Sequence, residues 1–404
     1  MIIDTEGQKE YFADLHIHSR FSRACSKDLN IDNLEKWARV KGLDVLGTGD
    51  FTHNTWLNEL KEKLKDNGNG ILETKTGFKF ILSGEVSLMY TQGRGRRVHL
   101  VLLAPSFDVV DKINSYLDTK GRRDYDGRPI FKIPIDEFVK RMIDIDKRIE
   151  VIFAHCWTPW FGFFGSKSGF DSIKEAFPTY PEVEKEIHAI ETGISSTPEM
   201  NLKLKELQGR AIVSFSDSHS FWPWRLGREA TIFSNIESYD EIIKQIRENK
   251  IIGTIETNPA YGMYHYDGHR DCAFSCSPEE TKKLNGICPK CGKPLVIGVD
   301  YRVGQLSDAD KKIASKKVYS VLPLHEILAA SHSCAMTTKK VWEEYNKLIA
   351  EFGNELNILL VVSEDKLIKI VDEKTARLII ENRKGNIKVK AGYDGVYGET
   401  VLEE

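Results

Sequence analysis

The sequence predicts an α/β fold: a parallel sheet that can close into a barrel, then a cysteine-rich segment and a mainly helical remainder. Three observations carry that expectation. Strand-like and helix-like segments alternate from residue 11 to about residue 255. Most of the strand-like segments end in a side chain able to bind a metal. Four of the seven cysteines cluster late in the chain, between residues 272 and 291. Strand–helix alternation implies parallel strands joined by crossover helices, and barrel sites gather at the carboxyl ends of such strands.

The first strand is expected in Tyr11-Phe-Ala-Asp-Leu-His-Ile-His, where alternation points Asp14, His16 and His18 to one face. Further strands are read in LDVLGTG (43–49), FKFILSGE (78–85), EVIFAH (150–155), IHAIETG (187–193) and RAIVSFSD (210–217). Helical periodicity marks NIDNLEKWARVKG with a Gly42 stop, IPIDEFVKRMIDIDK, TPEMNLKLKELQG with a Gly209 stop, and SYDEIIKQIRENK. The stretch 86–105, VSLMYTQGRGRRVHLVLLAP, reads as a hairpin around a Gly-rich turn. Asn258-Pro259, Gly262 and Gly268 break the pattern, and TTKKVWEEYNKLIAEFG (337–353) is helical again.

At 404 residues the chain is long enough for two or three domains, and 41% hydrophobic with 29% charged is ordinary for a soluble protein. No run reaches the ~20 apolar residues of a membrane span, and Met-Ile-Ile-Asp-Thr-Glu lacks the regions of a signal peptide, so a cytoplasmic location is expected. A net charge of −3 gives no whole-molecule attraction for nucleic acid. Local arginines at Arg94, Arg96 and Arg97, and at Arg122, Arg123 and Arg128, are candidates for phosphate contact.

The strand ends supply His16 and His18, then Asp50 of GTGD, Glu85 of SGE, His155 of IFAH, and Asp217 with His219, which repeat the i, i+2 spacing; His99 lies in the hairpin's returning arm. One strand-end aspartate can simply cap a helix, but several strands ending this way point to a multi-metal centre. Asp217 and His219 with His16 and His18 are the expected catalytic set. Imidazole and carboxylate suit Zn, Mn, Mg or Fe and leave positions for water and phosphate.

This set resembles the polymerase and histidinol phosphatase (PHP) family, at DLHIH, at GTGD, at Glu85 and His99, at His155 and at DSH (217–219). The resemblance covers about residues 11–255 and implies a distorted seven-stranded PHP-type barrel holding up to three divalent metals. Two departures stand out. Arg23 lies near a position where many members have a ligand, and Phe51 follows Asp50 where many have histidine, which makes His53 a candidate substitute. The expected division is therefore a metallo-phosphoesterase barrel at 1–255, a zinc ribbon at 256–300 and a mainly helical domain at 301–404.

Cys272-x₃-Cys276 and Cys288-x₂-Cys291, separated by eleven residues, have the spacing of a structural zinc site. With this quartet, HSRFSRACSKDLNIDNLEKWA and the tail motif GYDGVYGE (392–399), the whole chain resembles the endonuclease Q family. That resemblance implies nicking of DNA on the 5′ side of deaminated bases (uracil, hypoxanthine, xanthine) and of abasic sites, leaving 3′-hydroxyl and 5′-phosphate. Some relatives carry a peptide for a sliding clamp; the ending ETVLEE contains none. A buried barrel mouth requires a flipped base, and Trp157, Trp160 and Phe163 after His155, with Trp222 after His219, are candidate pocket walls. Two other readings use the same residues: a small-molecule phosphatase of histidinol-phosphate type, and a non-catalytic PHP module that binds DNA.

Overall fold

The computed structural model describes residues 2–3, 7, 9–310 and 313–401. Most of Met1–Glu6 and the last three residues of ETVLEE, on which the localisation and clamp expectations rest, lie outside the described residues.

The main sheet contains β1 (Lys9–Asp14), β2 (Val45–Gly47), β3 (Lys79–Gln92), β4 (Arg94–Ala104), β5 (Glu150–Phe153), β6 (Ala189–Glu191), β7 (Ala211–Val213), β8 (Ala230–Phe233), β9 (Gly253–Glu256) and β10 (Lys317–Ser320). Its order is β7-β6-β5-β4-β3-β2-β1-β8-β9-β10. Pairs β1·β2, β2·β3, β5·β6 and β6·β7 are parallel. The hairpin β3·β4 and the pair β4·β5 are antiparallel, so one long ribbon interrupts the parallel run. Gly93, with φ of 68°, makes its turn.

The sheet curls until the exit of edge strand β7 reaches β1. His18 N donates to Ser218 O at 2.9 Å, and Ser216 N and Oγ donate to the Asp14 carboxylate at 3.0 and 2.5 Å. Gly227 N adds a third bond to Asp14 at 2.9 Å. Asp14 is thus a latch between β1 and the exit of β7. Burial pushes its carboxyl up to about 6 against those hydrogen bonds. The result is a PHP-type α/β barrel whose interior packs Leu15, Val45, Ile81, Val101, Ile152, Ala189 and Val213.

The flanking helices follow the sequence periodicity where caps exist. Asn30 caps α1 (Ile31–Lys41), and Gly42 ends it at φ 102°. α2 (Asn54–Lys63), α3 (Phe107–Asp118) and α4 (Ile135–Ile145) pack on the barrel's outer layer, while Tyr239, Ile242, Ile243 and Ile246 of α5 (Tyr239–Arg247) join the interior cluster. One expectation fails. TPEMNLKLKELQG forms only a turn of helix at Pro198–Asn201 and a 3₁₀ turn at Lys205–Leu207. Asn201 turns inward and donates to Ser196 Oγ and Thr197 O, while its Oδ1 accepts from Trp157 Nε1 at 2.6 Å.

After the barrel, hairpin strands Asp267–His269 and Phe274–Cys276 form a small ribbon, and β10 rejoins the main sheet parallel to β9. α6 (Leu324–Ser331), α7 (Lys339–Phe352) and α8 (Glu373–Arg383) dominate the remainder. A buried ion pair fastens this helical region to the barrel: Lys41 Nζ lies 2.7 Å from Glu355 Oε1 and 2.7 Å from Pro223 O. Glu355 also accepts from Tyr345 OH and Leu324 N, so every charge is hydrogen-bonded. Among the described residues no helix is long and apolar enough to cross a membrane.

Candidate metal centre

His16 and His18 lie just past the end of β1, Glu85 sits within β3, and Asp217 follows β7. Their ligand atoms form one group, all within 4.8 Å of one another. Glu85 Oε2 is 3.2 Å from His18 Nε2 and 3.5 Å from His16 Nε2. Asp217 Oδ1 is 3.0 Å from His18 Nε2 and 3.6 Å from His16 Nε2. A second group forms around the other oxygen of Glu85: Oε1 is 2.7 Å from His99 Nδ1 and 3.3 Å from His155 Nε2. Glu85 therefore joins both groups, one oxygen to each.

The donor set fits divalent cations. Each imidazole of the opening motif is tied at Nδ1 to a carboxylate: His16 to Glu191 at 2.9 Å, His18 to Asp50 at 2.9 Å. Those bonds fix the Nδ1–H tautomer and leave the Nε2 lone pair facing inward, the usual carboxylate–histidine–metal arrangement. His16 Nε2 is buried with no hydrogen-bond partner among the described residues, although two carboxylates face it. Burial works to raise the Glu85 carboxyl, but the facing imidazoles, His99 first, and the Arg128 guanidinium outweigh it and hold the group well below the usual range. Burial is likewise outweighed at Asp217, chiefly by His16 and the His18 hydrogen bond. Burial pushes His99 down to about 4, so it stands as a neutral ligand. Asp50, His155 and Asp217 all have positive φ, at 45°, 30° and 48°. Strain of this kind at side chains near a site persists where the surroundings hold it.

Other expected ligands take different places. Asp50 is a supporting group: besides His18 it accepts from Ser19 N and Oγ, each at 2.6 Å, and from Ser22 Oγ at 2.9 Å. His219 lies at the rim, its ring 4.3 Å from that of His18 and its Nδ1 3.0 Å from Asp217 O, outside both groups. His53 is corrected as a ligand. It lies in neither ligand group: it occupies the N-cap position of α2 without a side-chain cap bond and stacks on Phe21 at 4.3 Å. Arg23 is exposed and pairs with Asp126, and Phe51 is buried under Gly84. Glu191 was not anticipated; besides His16 it accepts from His155 N at 2.6 Å. Its signal was present, since IHAIETG is another strand ending in a carboxylate.

Beside the two groups opens a cavity of about 450 Å³, lined by His99, His155 and Asp217 from the centre and by Trp160, Arg228 and Tyr264 among others. Thr158, Ser195 and Ser216 add polar groups to its wall. Of the four aromatic candidates only Trp160 lines it. Trp157 and Phe163 are core: Trp157 stacks near Phe164 at 5.0 Å, and Phe163 lies 3.9 Å from Phe153. Trp222 joins a cluster with Trp37, Trp224 and Trp342, between α1 and the helical region.

The arginines divide. Arg94, Arg97 and Arg122 are exposed. Arg96 is buried against Phe170, with Gly169 O and Glu175 as partners, and Arg123 is buried against Asp118 and Thr52 O, so neither reaches a phosphate. Arg128 turns into the metal centre.

The ribbon gathers His269, Cys272, Cys288 and Cys291, with His269 Nδ1 3.4 Å from Cys291 Sγ. Cys276 is not in this group. It pairs across the hairpin with Asp267, two positions beyond the His269–Phe274 pair, and its Sγ meets Thr281 Oγ1 at 3.2 Å. Its sulfur lies outside the group gathered around His269. The donor chemistry still suits zinc, as three sulfurs and one imidazole.

The description "MJ0043 C-terminal domain" matches residues 323–386. An uncharacterized protein of Methanocaldococcus jannaschii, MJ0043, is 34% identical over 61% of this chain, a match spanning 31% of that relative. The uncharacterized protein YqxK of Bacillus subtilis is 24% identical across 97% of this chain and 99% of its own. The lesion-specific endonuclease PfuEndoQ of Pyrococcus furiosus superimposes with a TM-score of 0.87 at 29% identity, covering 98% of this chain and 96% of that one. Over nearly its whole length this chain is similar to endonuclease Q. A second endonuclease Q structure, in complex with a 27-mer duplex carrying an abasic lesion at the active site, superimposes with a TM-score of 0.88 over 98% and 97% of the two chains. The endonuclease Q likeness therefore extends through barrel, ribbon and helical region together.

Proposed function

We propose that the chain is a metal-dependent DNA repair endonuclease that nicks the phosphodiester bond 5′ of deaminated bases and abasic sites, leaving 3′-hydroxyl and 5′-phosphate. The observation that carries this reading is Glu85, whose two oxygens reach two ligand groups beside a cavity large enough for a nucleotide. His16, His18, Glu85 and Asp217 would hold one divalent cation, and Glu85, His99 and His155 another. Such ions lower the pKa of water and offset charge on a phosphoryl group. Asp50 and Glu191 orient the imidazoles, and His219 stands where it can contact the scissile phosphate or its water.

The cavity suits a base swung out of the duplex. Uracil and hypoxanthine offer a carbonyl where cytosine and adenine carry an amino group. Arg228 Nε and Nη1 are buried with no hydrogen-bond partner among the described residues. A donor there favours the carbonyl and is left unpaired opposite an amino group. Thymine shares uracil's edge, so the wall must exclude its methyl. Trp160 and Tyr264, 5.8 Å apart, offer faces for the ring. Arg94, Arg97 and Arg122 are exposed and could meet flanking phosphates, Arg122 by giving up its pairing with Asp124, which gives steep salt dependence. Zinc at the ribbon is assigned a structural role, because its shell leaves no open position.

The test is one duplex carrying uracil, hypoxanthine, thymine or cytosine at a single position, incubated with Mn²⁺ or Mg²⁺ beside a small phosphomonoester. Nicking of the uracil and hypoxanthine strands alone supports the reading. Hydrolysis of the phosphomonoester without any nick favours the phosphatase reading instead.

A further inference from the structure

Arg128 comes from the segment between α3 and α4, yet its side chain ends inside the centre. Its Nη1 lies 3.0 Å from Glu85 Oε2, the same oxygen that faces His18 and His16. The side chain keeps 27% of its surface exposed, so it is not sealed inside the protein. Burial and the opposing charges of Glu85 and Asp217 compete at this group, and the carboxylates win.

The segment carrying it is pinned. Thr52 Oγ1 donates to Gly127 O at 3.0 Å, Gly127 N to Phe21 O at 3.1 Å, and Arg128 N to Asp126 Oδ1 at 3.1 Å. Position 127 has to be glycine, since a Cβ there would stand 2.2 Å from Asp50 Oδ2 and 2.3 Å from Ser22 Oγ. The loop is thus pressed against the carboxylate that orients His18. A surface arginine reaching for flanking phosphate needs none of this.

We infer that Arg128 is a catalytic residue whose guanidinium binds a non-bridging oxygen of the scissile phosphate. The inference rests on the phosphodiesterase reading above. Were the two ligand groups to hold cations, Glu85 would have its charge balanced without a guanidinium. Arg128 is then a fixed fork beside the ligands, on the side open to substrate. Phosphoryl transfer gathers charge on the non-bridging oxygens, and a preorganised planar donor stabilises it there without rearrangement. Arg128 takes and gives no proton; attack by water and departure of the 3′ oxygen are left to the rest of the site.

The experiment compares wild type, Arg128→Met and Arg128→Lys, all metal-loaded. Single-turnover nicking of an abasic duplex, metal content, and calorimetric binding of inorganic phosphate are measured on each. Arg128→Met is expected to slow nicking about 100-fold, with metal content unchanged. Its phosphate affinity should fall about tenfold, and Arg128→Lys should recover part of both losses. Full-rate nicking with unchanged phosphate affinity overturns the inference. So does loss of metal from Arg128→Met, which would make the arginine a structural counter-ion. If wild type fails to nick, the functional reading falls, and the phosphate titration still judges Arg128 alone.

Discussion

The Glu191 carboxylate holds His16 Nδ1 between its two oxygens, at 2.9 and 3.1 Å, and one of those oxygens also accepts from His155 N. A single side chain on β6 therefore orients the His16 imidazole of one ligand group and anchors the backbone of His155 in the other. Glu191→Gln keeps the shape but removes the charge that favours the Nδ1–H tautomer. Changes at such supporting carboxylates cost about 10- to 100-fold in metal affinity or activity. Titration of the metal-stripped protein with Mn²⁺ or Zn²⁺ should show a loss of that size. Unchanged affinity would show that Glu191 does not support the ligands.

At the ribbon, His269 and Cys276 make opposite predictions. His269→Ala should release the ribbon metal and lower Tm, because it removes one of four gathered donors. Cys276→Ser should keep the metal, since its thiol faces Thr281. Elemental analysis of both purified variants decides between them. Zinc loss from Cys276→Ser alone would restore the four-cysteine shell.

Glu229 and Glu256 are both buried, one step beyond the Ala230–Ile255 pair of β8 and β9. Burial pushes the Glu229 carboxyl up to about 8; burial and then the charge of Glu229 push Glu256 well above the usual range. The folded state therefore holds protons that the unfolded chain, ionising near 4.5, has given up. Stability should fall as pH rises from about 4.5 through about 8. Glu229→Gln removes the penalty, so its gain in Tm should be greater at pH 9 than at pH 5, by about 2 °C or more. An equal shift at both values would mean the carboxyl ionises normally.

How much of this was legible depends on the kind of contact. His16, His18, Glu85, His99, His155 and Asp217 could be singled out because a strand fixes which face a side chain takes and where a strand ends. The long hairpin was legible from its apolar arms and Gly93. His53 was singled out by its closeness to Asp50 in sequence, which does not fix where its side chain goes. Cys276 was favoured over His269 by residue type, although His269-x₂-Cys272 repeats the spacing of Cys288-x₂-Cys291. Arg96 and Arg123 read as a basic surface, yet arginine in a Gly-rich run can fold back onto a carboxylate and a carbonyl. Trp222 depends on Trp342, more than a hundred residues away, and no local pattern reports such packing.

The central claim is that the centre around Glu85 cuts a DNA strand at a lesion. The most direct measurement is gel analysis of a 5′-labelled duplex with one abasic site, incubated with Mn²⁺ and wild type or Asp217→Asn. Wild type should give a single product ending in 3′-hydroxyl immediately 5′ of the lesion. Asp217→Asn should bind the duplex but slow cleavage by several orders of magnitude, because it strips a donor shared with His16 and His18. Cleavage by Asp217→Asn at the wild-type rate, or no cleavage by metal-loaded wild type, would contradict the account.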